Sequence, residues 1–365
     1  MNKTLKILLL NLILLAGTVF SSANSFAEGR HGDEKSWPVW HPVNQDTEKS
    51  SWAIGFDNDI LVPGSRDQDY TYGINLTYFG RNVENQWASL HRGLVSINEG
   101  VGLDNQIDSG IEASKIEYGL VGFTPEDISR VDAQPDDRPY ASLVYVSSSR
   151  EQYYRASEVS WQSTLTLGVL GLDIVGNIQE GVHSVLGGDQ PMGWHNQISD
   201  GGEPTARYSI SRQSLLFKRG SGLELKSTIQ ASVGYITEVS WSLSTRAGKI
   251  LTPWVSFNPE LTTYGEKSIP DLSIKVSEQY AWAGISLKLR AYNVFLQGQF
   301  KDSAVTYSSD EINHGMVEAW LGYTLAFSDG YSITYSVRGH TSELKQGNGD
   351  RSVVWGGLLL SKTIG

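Results

Sequence analysis

The chain of 365 residues contains no cysteine, so no disulfide framework holds it, although its first residues read as an export signal. Beyond Ile7 to Phe20 it has no long apolar run, and nothing approaches the roughly 20 residues that a membrane-spanning helix needs. It is short of positive charge, with 29 Lys and Arg against 40 Asp and Glu, which excludes a nucleic-acid binder that works by charge. It is also short of helical periodicity, which is confined to one segment, Asp173 to Leu186. Stability therefore falls to a large sheet or core.

Lys3 and Lys6, the apolar run and Ser25-Phe26-Ala27 form a secretory leader expected over residues 1–27. Glu28 to Ser50 is polar and interrupted by proline, which fits a loosely held arm, and residues 51–365 fit one barrel. Eleven Trp, 17 Tyr and 38 Gly accompany a negative mean hydropathy, as in a wall with a wet inner face. The clearest strand puts Tyr70, Tyr72, Ile74, Leu76 and Tyr78 on one face and Thr71, Gly73, Asn75 and Thr77 on the other. Val159 to Val169 and Tyr331 to His340 alternate in the same way. A soluble sandwich also alternates, but with more Lys and Glu on its polar face and fewer tyrosines at strand ends.

The pattern predicts strands over 51–60, 69–80, 111–123, 139–149, 157–170, 205–218, 222–237, 239–251, 275–288, 290–301, 314–327, 331–342 and 350–363. Bacterial single-chain barrels use even numbers, so twelve are expected, with a merger between 239 and 301. The expected fold is an all-β, antiparallel, up-and-down transmembrane barrel of about twelve strands, with one short α-helix in an extracellular loop. Ser328-Asp329-Gly330 reads as a tight inner hairpin.

An exported N-terminus starts inside, so alternate strands rise and fall from there. The ends of strands one and two, the loop 124–138 and the helix-bearing segment 171–204 then share the outer rim. Residues 81–110 would be an inner turn, and they are long for that side.

Chemistry-bearing residues collect at that rim. Asn58 and Asp59, with Asp57, Asp67 and Asp69 nearby, offer oxygen donors of the kind that suit a hard cation such as calcium. His183 is a candidate general base, with Gln179 one helical turn back and Asp189 six residues on to orient or balance it. Ser184 points about 100° away round the helix, a poor nucleophile partner for that imidazole. Arg130 and Arg138 have the guanidinium geometry that grips phosphate. His195 is a competing imidazole. The bland readings are solvated acids, a surface histidine, and arginines paired with neighbouring acids.

Phe56-Asp57-Asn58-Asp59, Asp69-Tyr70-Thr71-Tyr72-Gly73, Asp136-Asp137-Arg138-Pro139-Tyr140-Ala141, Gln179 with His183, and Gly193-Trp194-His195-Asn196-Gln197 run in order over Ser51 to Pro204. This ordered set resembles the outer-membrane lipid A 3′-O-deacylase family of LpxR type. The resemblance implies a calcium-dependent ester hydrolase of the bacterial outer membrane, its active-site loops extracellular, acting on the 3′-linked acyloxyacyl ester of lipid A in lipopolysaccharide. His183 would activate water, Asn58, Asp59 and Asp189 would serve calcium, and Thr71 and Gln179 would line the site. Arg130, where the family pattern has lysine, and Arg138 would meet substrate phosphates. Asp189 stands where the pattern has glutamate. The expected partners are lipopolysaccharide and outer-membrane lipids around a monomer, with no nucleic acid. The rival readings are an outer-membrane phospholipase or other esterase with a serine nucleophile, and a non-enzymatic pore or structural barrel.

Overall fold

A computed structural model describes residues 50–62, 69–80, 82–103, 111–154, 158–264 and 277–364. The expected leader, all but the last residue of the arm, and Asp67 lie outside the described residues. Twelve antiparallel strands close into one barrel. In chain order they are β1 (Ser50–Asn58), β2 (Asp69–Phe79), β3 (Ile111–Thr124), β4 (Ala141–Tyr154), β5 (Val159–Leu170), β6 (Glu203–Arg219), β7 (Leu223–Gly234), β8 (Ile236–Lys249), β9 (Glu278–Asn293), β10 (Gly315–Ala326), β11 (Tyr331–His340) and β12 (Val353–Ile364). Each pairs with its sequence neighbours, and β1 closes the ring on β12 from Ser50↔Ile364 to Asn58↔Gly356. The two strands expected over 275–288 and 290–301 are one strand, β9, which ends in the one-turn helix α3 (Val294–Gln297), the last of three α-helices among the described residues. The merger falls within the expected span because the alternation runs on through Leu287, Lys288, Leu289 and Arg290 with no turn residue to stop it. The hairpin after β10 closes with Gly330 donating its N–H to Phe327 O at 2.9 Å, at a φ of 91° that glycine adopts readily.

The period of two decides what each face meets. Ile54, Phe56, Leu76, Leu167, Ile229, Leu287, Tyr323, Ile333 and Leu358 point outward and are exposed, which is the band a bilayer covers. The inward positions are polar and filled. Lys226 meets Glu260 at 2.8 Å, Arg246 meets Glu224 at 2.7 Å, Lys288 meets Glu318 at 2.5 Å, and Arg290 meets Glu238 at 2.8 Å. Part of this filling comes from the connection after β8, which enters the lumen from the inner end: Lys226 Nζ donates to Asn258 Oδ1, Thr228 to Glu260 and Arg338 to Pro259 O. At the outer mouth three loops lie over one another, with Asn348 N on Asp136 O and the Tyr307 hydroxyl on Asp137 O.

Two helices flank the wall. α2 (Asp173–Leu186) occupies the expected extracellular segment. α1 (His91–Gly100) lies in the segment expected as a long inner turn, and it packs on the outward face of the wall. Leu90 N donates to Ser148 Oγ, Asn98 Nδ2 to Ser163 Oγ, and the Tyr208 hydroxyl to Asn98 Oδ1. Ser148, Ser163 and Tyr208 share their strand faces with Val146, Leu165 and Ile210 and point outward.

Candidate active site

β1 ends at Asn58. Its Oδ1 accepts from Ile60 N at 2.7 Å, capping the turn Asp59–Leu61, and its Nδ2 donates to Thr71 O at 2.8 Å. Strict alternation sends Asp57 inward, where it accepts from the Tyr70 hydroxyl at 3.2 Å, and gives Asn58 the outward parity of Ile54 and Phe56. Thr71 sits at a bulge, where the β2–β3 register shifts between Tyr70 and Tyr72. Its hydroxyl lies 2.7 Å from that of Thr124. The bulge turns Tyr70 inward and Tyr72 outward, so one strand serves both sides of the wall.

The outward Tyr72 is the footing of α2, and its hydroxyl donates to Val175 O. Val175 is fully buried in a cluster with Tyr72, Tyr140 and Trp194, against which Ile74, Leu120, Val144 and Ile178 pack. Burying a side chain of this size contributes roughly 1.5–3 kcal/mol. Ile74, Leu120 and Val144 belong to the outward face, so α2 leans on the outside of the barrel rather than over its mouth. Val175, Gln179 and His183 recur every four residues on one helical face, while Ile174, Val182 and Val185 form an exposed apolar face.

Gln179 is 3% exposed. Its Oε1 accepts from Trp194 Nε1 at 2.8 Å, which fixes the amide orientation, and its Nε2 has no acceptor among the described residues. A buried donor left over in this way has a place for an oxygen beside it. One turn on, His183 Nδ1 lies 2.6 Å from Asp189 O. A carbonyl only accepts, so Nδ1 carries the proton and Nε2 the basic lone pair. The supporting backbone carries two glycines. Gly187 caps α2 at a φ of 75°, and a Cβ on Gly188 would stand 3.0 Å from the imidazole Nδ1.

Asp189 thus reaches the histidine through its backbone carbonyl, while the residue itself is exposed. Arg130 is exposed too, on a loop bound to the helix-bearing segment by Met192 N on Ile128 O and Asn196 Nδ2 on Val131 O, each at 2.8 Å. Arg138 is placed elsewhere. It is 3% exposed, its guanidinium lies 4.4 Å over Phe123, and Nη1 meets Glu343 Oε2 at 2.6 Å within the lumen. Glu343 also accepts from Tyr264, Arg290 and Asn293. Burial alone would raise the Glu343 carboxyl, but Arg138, His340 and Arg290 outweigh it and hold the group well below the usual carboxylate range. The acids grouped around Asn58 in the sequence separate in the same way: Asp57 is lumenal, and Asp69 is paired with Arg351 at 2.8 Å. Trp194 and Tyr72, which position the helix, were legible in the sequence only as a loop closure and a strand aromatic.

For a metal, the relevant donors are Asp59, a carboxylate 2% exposed at the strand end, the Asn58 amide oxygen and neighbouring carbonyls. No group of three or more His, Cys, Asp or Glu that could hold an ion occurs among the described residues. By chemistry the Asp59 carboxylate and the Asn58 amide are donors of the kind a hard cation takes, not of the kind zinc takes.

These features define a class: a closed twelve-stranded barrel with a helix from an outer loop packed on the bilayer side of its wall. The chain matches the family described as "Outer membrane protein LpxR" over residues 10–364 and belongs to it; the outer membrane is its location. Among solved structures it is similar to LpxR from Salmonella typhimurium, with a TM-score of 0.64 and 17% identity, covering 86% of this chain and 99% of that one. It is more distantly similar to the beta domain of the Bordetella autotransporter BrkA, with a TM-score of 0.40 and 10% identity over 87% and 99% of the two chains. No curated protein matches the sequence.

Proposed function

We propose that this protein is a lipid A deacylase that hydrolyses the 3′-linked acyloxyacyl ester at the outer surface. The observation that carries the reading is the His183 imidazole, its tautomer set by Asp189 O, on a helix whose polar face turns toward the outer face of a membrane wall. His183 Nε2 takes a proton from water as the water oxygen bonds to the ester carbonyl carbon. The tetrahedral adduct then breaks its bond to the sugar oxygen, and the proton passes from the imidazole to that leaving oxygen, giving a free acid and an alcohol. Gln179 Nε2 donates toward a substrate or water oxygen, and Thr71 lines the floor beside Asn58. Arg130, exposed at the rim, meets a headgroup phosphate.

Asn58, Asp59 and Asp189 would hold calcium. When bound, the ion supplies positive charge where the ester oxygen becomes an oxyanion. Ser184 is exposed, with its hydroxyl 3.4 Å from Gln190, and takes no part.

Mass spectrometry of lipid A from cells expressing the protein tests this reading. The expected product lacks the 3′ acyloxyacyl group, and His183→Ala restores the parent mass. Unaltered lipid A in the presence of folded wild-type protein contradicts the proposal.

A further inference from the structure

The outward faces of the barrel are unequal. On β10 the outward side runs from Val317 through Leu321 and Tyr323 to Leu325, about 26 Å of strand at roughly 3.3 Å per residue. Under α2 the wall is much shorter. Gly122 lies beneath Val175, since a Cβ there would stand 2.8 Å from Val175 Cγ1. Four residues down the same strand, Tyr118 meets Trp87: the rings stack at 6.0 Å and 28°, and the Tyr118 hydroxyl donates to Trp87 O. That leaves about 13 Å of strand between them. On β4 Val144 packs against the α2 cluster, and Val146 is the one outward residue between it and Ser148, which is bonded to Leu90 N.

What lies below is a collar running from Val83 to Gly100. Val83 is buried against Tyr78 and Ile116, and Leu94 and Asn98 of α1 are buried against the wall. The collar's other face exposes Glu84, Arg92, Ser96 and Glu99. Charged side chains on that face are costly in hydrocarbon, so the collar marks where the hydrocarbon stops on this flank. The strip above it, with Ile74, Leu76, Leu120, Val144 and Val146, is apolar, is continuous with the lipid-facing wall and opens directly under the polar face of α2.

We propose that this strip is an acyl-chain groove whose floor is Trp87 on Tyr118, and that the floor sets the length of chain accepted at the site. The occupant is the saturated hydrocarbon chain of an amphiphile whose ester lies at Gln179 and His183. The length selection rests on the deacylase reading; the position of the floor does not. Trp87 is 81% exposed, so its truncation shortens the floor and removes little packing.

Two measurements test this. Because the chain has no native cysteine, a spin label at Ser96→Cys in liposomes reports the collar's surroundings, with Leu287→Cys on the opposite flank as reference. The proposal expects a water-soluble nickel chelate to reach Ser96→Cys and oxygen to dominate at Leu287→Cys. A label at Ser96→Cys that behaves as at Leu287→Cys overturns it. Next, cleavage of lipid A species with 3′ chains of increasing length is compared by mass spectrometry. For Trp87→Ala the rate on the longest chain relative to the shortest rises about tenfold, the scale of a methylene-sized change in an apolar pocket, while Trp87→Phe keeps the wild-type profile. An unchanged profile for Trp87→Ala, with wild type active, overturns the floor. A folded wild type that cleaves no lipid A overturns the deacylase reading instead, and the Ser96→Cys label then decides the groove by itself.

Discussion

The molecule holds polar groups in two places, the lumen and the outer face under α2, and they are built on different rules. In the lumen charge is dense and matched: Arg290 spans Glu238 and Glu343, Lys288 and Arg338 share Glu318, and Lys226 meets Glu260. Buried pairs of this kind hold a shape, because removing one partner leaves the other uncompensated. On the outer face charge is sparse. Gln179 has its oxygen fixed and its nitrogen left over, and His183 has one nitrogen fixed by a carbonyl. The density of ionisable groups points to the lumen, whereas the unmatched amide of Gln179 lies on the wall. The proposed function places the chemistry at the second.

The largest effect expected on the outer face comes from removing the cation proposed at Asn58 and Asp59. Chelation, or Asp59→Ala, should lower lipid A cleavage on the order of 10²- to 10³-fold, with the barrel still migrating as a folded species on a gel; a full rate in chelator breaks the assignment. The matching lumenal change is Glu343→Ala, which strands Arg138, leaves Arg290 with Glu238 alone and should cost about 3–5 kcal/mol of stability, read from the denaturant midpoint. Its pH dependence has a definite sign. A carboxyl held below its usual range stabilises the fold above its unfolded pKa, and that contribution is lost only as pH falls through the lower folded value. The lumen should therefore hold at mildly acidic pH and loosen in stronger acid. A smaller effect is expected from Trp194→Phe, which removes the indole donor to Gln179 Oε1. An unmet buried acceptor costs roughly 1–3 kcal/mol, so stability should fall by about that much and turnover about tenfold. Smallest is Gly188→Ala, whose Cβ crowds the imidazole and should slow turnover a few-fold; an unchanged rate would show that the imidazole position is not limiting.

Much of the wall was readable from the residues because a two-residue period with one apolar face has one geometric solution, and the outer rim followed from counting strands. Asn58, Thr71, Gln179 and His183 could each be placed from the residues for the same reason: each sits near a strand end or on one face of the segment with helical periodicity. Arg138 was not, because the partner that turns it inward, Glu343, lies 205 positions away and no local pattern encodes it. The connection after β8 hides its role similarly, since its lumenal contacts are with Lys226, Thr228 and Arg338 on distant strands. α1 was not legible because its seat is made by distant strands: Ser148, Ser163 and Tyr208, which bond Leu90 and Asn98, are encoded by no local pattern in residues 91–100.

The sharpest test sets the two regions side by side in one mass spectrum of lipid A, from cells making equal amounts of folded wild type, His183→Gln or Ser244→Ala, the last losing only a lumenal hydrogen bond to Glu260. The account predicts deacylated lipid A for wild type and Ser244→Ala and none for His183→Gln, a loss of about 10²- to 10⁴-fold. Deacylation that survives in His183→Gln would contradict it.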